Sequence, residues 1–472
     1  MNKKRFRILP VILLLIFSLS ACAPAVPGET GTTRRFDEQS LVKRAEDYVT
    51  EFQNGKFGLF LIDAEDELAH RYPEEKLDGL WTSYINSARA FRRQETPEVS
   101  YDADHCRVDV RSVHARYQIH SSFSFDAEER ISDASFSLEP LTVKPESGDT
   151  WHETAISLGY DKEKPLNGML TLPDNVKKPP VLILIQGSGK NNMDSLIGAS
   201  DNRFFADLAH GLAGLGIASI RYDKRSYAYP EDVADIQTEY LYDVKDAVRF
   251  AKEDERVDGN RLYLVGHSQG GMLSPKIVTD NPEFKGFISM GGTLRRMEDL
   301  ILEQNKVMNA GNEALSLEEK ETADVLIADL VAKIKGLDAE SDASPEVLLY
   351  GYPETYWKSL NEIDSLGLAE KLASEEFPML ILQGINDFQV TYDTDYALWQ
   401  ETTAKNPNAV CIAYEGLSHV FMPGSMEFER TVYDPPAHVD AAVIRDIADW
   451  VNRQEWNLSV PSPAQSPAKS SF

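Results

Sequence analysis

Cysteine is almost missing from this chain: Cys22, Cys106 and Cys411 are the three in 472 residues. Cys106 and Cys411 lie far apart in what read as different domains, so a disulfide framework is not indicated. No C-x-x-C, H-E-x-x-H or G-x-G-x-x-G occurs, so no motif supports a structural zinc, a zincin site or a dinucleotide, and no cofactor or metal is expected. Positive charge is also scarce, with 48 Lys and Arg against 76 Asp and Glu and a net charge of −28. Such a surface repels nucleic acid and anionic lipid headgroups, which excludes a nucleic-acid partner. No internal repeat is visible. The apolar run from Ile8 to Leu19 is too short to span a membrane as a mature helix.

That run has a different use. Lys3, Lys4, Arg5 and Arg7 precede it, and Leu19-Ser-Ala-Cys22 follows with small residues before a cysteine, which resembles a bacterial lipoprotein signal. The resemblance implies cleavage after residue 21, a lipid on Cys22 and a chain tethered outside the cytoplasmic membrane, touching it through the anchor only. Loss of residues 1–21 would remove four cations and take the net charge from −28 to −32. Residues 22–35 read as a polar tether.

From Phe36 the pattern is helical (Leu41, Ala45, Tyr48, Val49, Phe52) up to Asn54-Gly55, and two further runs, Phe57 to His70 and the stretch after Pro73, repeat it. Between Cys106 and Leu138 the period changes to two, with Asp126 to Arg130 as a hairpin turn. Helices followed by strands predict a small α+β domain over 36–140. His105, His114 and His120 lack ligand-like spacing and read as core or surface residues. After a linker from Pro140 to Trp151, strands alternate with helices over 152–456. An antiparallel pair comes first, then Val181 to Ile185, Ile217 to Tyr222, Leu262 to Gly266, Phe284 to Met290, Pro378 to Gln383 and Ala409 to Tyr414. That order predicts a mostly parallel sheet flanked by helices. An acidic, helix-rich insertion at about 294–376 interrupts it without strand signals and reads as a lid above the strand ends, where ligands bind in open α/β sheets. Its Tyr350, Tyr352, Tyr356 and Trp357 are either aromatic pocket walls or packing between lid and core. Residues 457–472 read as a disordered tail.

The chemistry centres on Gly266-His-Ser-Gln-Gly270. An apolar strand breaks at the first glycine and a helix-compatible run starts at the last, the context of a nucleophile elbow with Ser268 at its apex. A serine hydroxyl needs a histidine to take its proton and a carboxylate to orient that histidine. Asp387 and His419 each follow a strand and a turn, in the order Ser, acid, His. His267 and His438 compete as base, and Asp393 and Asp395 as acid; His438 is placed at a helix start. The oxyanion formed during attack needs N–H donors, expected from Gln269 and from Ser188 in Gly187-Ser-Gly189.

The blocks Gln186-Gly-Ser-Gly189, Arg221-Tyr-Asp-Lys-Arg225, Gly266-His-Ser-Gln-Gly-Gly271, Tyr356-Trp-Lys-Ser-Leu360, Leu382 to Val390 and Gly416-Leu-Ser-His419 resemble the EstD-like bacterial esterases of the α/β-hydrolase superfamily. These are also grouped with serine aminopeptidase-type hydrolases. The resemblance covers Thr154 to about Trp456 and implies an α/β-hydrolase fold with nucleophile Ser268, acid Asp387 and base His419. The preceding domain resembles a small domain of unknown function found before many bacterial hydrolases, catalogued as DUF3887. Gln186 stands where many relatives have His, and Asn192-Met-Asp194 where they have Asp-Arg-Asp. The activity so implied is a lipid-anchored carboxylesterase acting on small or medium acyl esters. An aminopeptidase or amidase with the same residues, or a ligand-binding lipoprotein without catalysis, are the other readings.

Overall fold

The computed structural model describes residues 36–200, 202–425 and 431–459. The signal-like segment, Cys22, the tether and residues 460–472 lie outside the described residues. Two domains are joined by the linker after Pro140. In the first, the helix Glu38–Gln53 buries Leu41, Ala45, Tyr48, Val49 and Phe52, the stripe that helical spacing requires. The run after Phe57 is not one helix but two short ones, Gly58–Asp63 and Asp66–Arg71, because Ala64 bridges to Ile131 of the sheet. Helix Glu74–Ala88 follows. An antiparallel sheet holds Phe91–Gln94, Cys106–His114, Tyr117–Phe125 and Ile131–Pro140 in that order, with Glu98–Tyr101 also on Cys106–His114. Phe52, Phe60, Trp81 and Phe123 fill the space between helices and sheet.

The second domain is built on an eight-stranded sheet. In spatial order its strands are Ala409–Tyr414, Met379–Gly384, Phe284–Met290, Leu262–His267, Val181–Ile185, Ala218–Tyr222, Leu166–Pro173 and Trp151–Leu158. The first six run parallel and the last two complete it as an antiparallel hairpin. Val181, Ile183 and Ile185 point to one packed face and Leu182 and Leu184 to the other. A strand covered on both sides must be apolar throughout, which is why this segment reads as an uninterrupted run.

The insertion holds helices Met297–Gly311, Leu317–Lys335, Glu354–Asn361 and Ser365–Ser374. Pro345 to Pro353 departs from the strand-free insertion expected. Leu348–Leu349 pairs antiparallel with Tyr352–Pro353, and Tyr350 and Gly351, at φ 49° and 82°, turn the chain back. Two successive positive φ angles make a tight hairpin turn that no helix can contain. Helix Ala441–Ser459 also runs past the expected boundary at 456, since no helix breaker occurs before Pro461.

Candidate active site

The Leu262–His267 strand ends against helix Gln269–Asp280 with one residue between them. Ser268 is that residue, at φ 54° and ψ −116°, a conformation costing a non-glycine residue on the order of 1–3 kcal/mol. The flanking glycines make the bend possible. A Cβ on Gly266 would lie 2.3 Å from the Gly270 carbonyl oxygen, and one on Gly270 would lie 2.4 Å from that of Ile185. Strand and helix therefore approach closely enough to hold the Ser268 side chain out over the sheet edge.

His419 and Asp387 meet at the carboxyl ends of neighbouring strands. The His419 Nδ1–H donates to Asp387 Oδ2 at 2.6 Å. The carboxylate is itself held by the N–H groups of Gln389 (2.8 Å) and Val390 (2.9 Å) and by Gln383 Nε2 (3.1 Å). With Nδ1 so occupied, Nε2 is the ring nitrogen left for a second partner. Ser268 and His419 open onto the same cavity. His267, beside the elbow, has a different task. Burial and the neighbouring His419 hold its imidazole well below the ordinary range, and its Nε2–H donates to the His419 carbonyl at 3.0 Å. That fixes the backbone carrying His419. The other competitors lie elsewhere. His438 precedes the closing helix rather than starting it, is exposed, and pairs with Asp207 at 3.1 Å. Asp395 is bound by Thr293 and Arg295, and Asp393 sits beside it in the turn Tyr392–Tyr396.

The loop after Val181–Ile185 is pinned from behind. The Gly187 carbonyl accepts from Lys224 Nζ (3.0 Å) and from the Tyr240 hydroxyl (2.8 Å), and the Gly189 carbonyl accepts from Lys224 Nζ at 3.1 Å. No peptide bond among the described residues is cis, and in a trans peptide C=O and N–H point in opposite directions. Drawing the Gly187 carbonyl back therefore turns the Ser188 N–H forward, on a residue that is exposed to the cavity. Gln269 opens its helix, so its N–H is one that the helix leaves without an acceptor. Lys224 is itself paired with Glu239 at 3.0 Å, both fully buried; burial lowers the lysine's pKa while Glu239 opposes that. Tyr356 of the insertion donates to Glu239 Oε2 at 2.6 Å and accepts from Gln269 Nε2 at 2.8 Å. Lys224 lies in the block Arg221 to Arg225 without a role read for it, and Glu239 and Tyr240 were not singled out in the sequence. For Lys224 a signal was available in Asp223-Lys-Arg225, three consecutive charges directly after a buried strand.

Residues 198–423 match a family model described as serine aminopeptidase, S33. Esterase EstD of Thermotoga maritima is 26% identical over 425 residues, covering 88% of this chain and 95% of that protein. The second domain has the α/β-hydrolase fold, a mostly parallel sheet flanked by helices. Among solved structures, Est1E of Butyrivibrio proteoclasticus, with ferulic acid bound, is similar at 19% identity over 64% of this chain and 98% of that chain, with a TM-score of 0.40. An esterase of Pyrococcus furiosus is similar at 12% identity over 67% of this chain and 97% of that chain, with a TM-score of 0.41.

The cavity onto which Ser268 and His419 open measures about 990 Å³. One side is the elbow, His419 and the Gly187–Lys190 loop; the other is the first domain, through Gln53, Asn86, Arg89, Phe91, His114 and Arg116. No residue of the insertion lines it. This corrects the expected lid over Ser268: Tyr356 and Trp357 are 1% and 2% exposed and pack into the hydrophobic core. The apolar insertion helices found their burial surface on the flank of the sheet, so Tyr356 and Trp357 are packing rather than pocket wall, while Tyr350 is exposed at the hairpin turn and away from the cavity. Among the described residues no cluster of three or more His, Cys, Asp or Glu is placed to hold a metal ion.

Proposed function

We propose that this hydrolase is a carboxylesterase of small or medium acyl esters, working through an acyl-enzyme on Ser268. The single observation that carries the reading is the hydrogen bond from His419 to a carboxylate that three other donors fix, with Ser268 on the same cavity. His419 Nε2 takes the Ser268 proton as Oγ attacks the ester carbonyl carbon. The carbonyl oxygen gains negative charge and is met by the N–H groups of Ser188 and Gln269. The intermediate collapses by breaking the bond to the alcohol oxygen, which leaves with the proton from His419. Water repeats the sequence on the acyl-serine, so one ester and one water give one acid, one alcohol and free enzyme. Asp387 holds the imidazole tautomer and stabilises the imidazolium.

The similarity to an esterase along most of the chain supports ester over amide substrates. The test is a panel of p-nitrophenyl acetate and butyrate beside an aminoacyl-anilide. Turnover of the anilide alone would replace the carboxylesterase with an aminopeptidase. The reading also includes lipid attachment at Cys22 and residence on the outer face of the cytoplasmic membrane, supported by the lipoprotein-like segment before it. Labelled palmitate should enter the wild-type protein and not Cys22→Ser; equal labelling of both would remove the anchor from the account.

A further inference from the structure

The first domain contributes to the cavity two cations that no carboxylate among the described residues neutralises. Among the described residues, neither Arg89 nor Arg116 has a carboxylate within ion-pair reach. This is unusual in a chain with 76 acidic and 48 basic residues. The buried cations of the second domain are all matched: Arg221 with Glu153 and Asp194, Lys224 with Glu239, Arg225 with Asp243. Lys190 also lines the cavity from the loop opposite and also lacks such a partner. The lining's carboxylate is Asp434, whose Oδ1 accepts from the Ala199 N–H at 2.8 Å.

These arginines are placed, not merely present. Arg116 N–H donates to the Ala88 carbonyl at 3.0 Å and Ala115 N–H to that of Ala90 at 2.8 Å, so the two arginine-bearing segments lie side by side. Arg89 closes its helix at φ 66°, in the left-handed region that a side chain avoids. The His114 Nδ1–H holds its carbonyl there at 3.0 Å, and backbone strain of this kind collects at functional sites. Arg116 sits in a tight hairpin whose carbonyl accepts from the Tyr227 hydroxyl at 2.7 Å. Tyr227 belongs to the second domain, yet its ring packs against Tyr117 at 4.5 Å, within the core of the first. Burial and the nearby Arg89 lower the Arg116 pKa, the cost of crowding like charges without a counter-ion.

We infer that the first domain is the substrate-recognition wall of the esterase, and that Arg89 and Arg116, facing Lys190, bind an oxyanion group, carboxylate or phosphate, on the ester. A guanidinium offers paired N–H donors matched to either group, and a pair with no carboxylate partner among the described residues has that capacity free for a ligand. The inference rests on the esterase reading for its substrate but not for its binding site.

The experiment uses the whole chain without residues 1–22. Phenyl butyrates bearing a meta carboxylate, phosphate or neutral carboxamide test the alcohol side; the phenol half-ester of adipic acid against phenyl hexanoate tests the acyl side. At least one anionic ester should exceed its neutral counterpart about tenfold in kcat/KM, and the arm that does so names the group. Arg116→Gln and Arg89→Gln should each lower that ratio several-fold, and together abolish it. A wild type that prefers the neutral member of every pair, or variants that keep the ratio, would overturn the inference. Absence of turnover on all esters would instead count against the esterase reading. The binding claim is then read on Ser268→Ala by thermal shift with meta-hydroxybenzoate, meta-hydroxyphenyl phosphate, adipate and meta-hydroxybenzamide. An anionic compound should raise Tm in an Arg116-dependent way, and equal shifts with and without Arg116 would reject the site.

Discussion

The two walls of the cavity treat charge in opposite ways. Behind the Gly187 loop, Lys224 and Glu239 are fully buried and answer each other, and their remaining capacity goes to carbonyls and tyrosine hydroxyls. On the facing wall, Arg89 and Arg116 find no carboxylate at all among the described residues. A buried pair is weak evidence for stability, because desolvation offsets most of its attraction. Its use is geometric: here it directs one peptide plane. An unpaired cation at a cavity leaves its interaction free for a ligand. The wall of the second domain is therefore the one that acts on every ester alike, and the wall of the first is the one that chooses among them.

Substitutions on the two walls should separate accordingly. Ser268→Ala should reduce turnover of charged and neutral esters alike by roughly a thousandfold or more, as should His419→Ala, while His438→Ala stays within about twofold. Initial rates beside melting curves check this, and a larger loss in His438→Ala would move the base. Next comes the buried pair. Lys224→Met alone would strand Glu239, so it is combined with Glu239→Gln. The double variant should lower kcat about 10- to 100-fold with little change in KM, the pattern of a misdirected oxyanion donor. A rise in KM confined to anionic esters would instead place Lys224 with the recognition wall.

Tyr227→Phe removes the hydroxyl that holds the Arg116 carbonyl. It should cost about 1 kcal/mol of stability and reduce the preference for anionic over neutral esters about threefold, with kcat on neutral esters nearly constant. Unchanged preference would mean that the hairpin needs no tie between the domains. The smallest effect concerns Asp223, beside Lys224. Burial is the main cause that raises its pKa to about 7, with Asp194 adding and the Met193 N–H opposing. Its folded pKa lies above its unfolded one, so the stability it contributes at low pH is lost between about pH 4 and 7. Asp223→Asn should therefore gain on the wild type across that window, by about 3 °C in Tm at pH 7. A constant difference between pH 4 and 7 would contradict the shift.

Local signals explain what could be read before the fold. The strand-to-helix break at Gly266–Gly270 is written in contiguous residues because the crowding is local, and Asp387 and His419 each follow a strand and turn of their own. The parallel sheet was legible for a similar reason, since Val181 to Ile185 must be apolar on both faces. The walls were not legible. Lys224 meets Glu239 across 15 positions, and Arg116 reaches the cavity only through the docking of Tyr227, which no periodicity encodes. The insertion was misjudged for the converse reason: its apolar spacing shows that Tyr356 and Trp357 need burial but not which surface buries them.

The most direct test of the central claim is covalent. A fluorophosphonate probe added to the folded full chain without residues 1–22, followed by intact mass and peptide mapping, should give one adduct per chain, on Ser268. Labelling should vanish in Ser268→Ala and fall steeply in His419→Ala. A natively melting protein that takes no label, or carries it on another residue, would contradict the account.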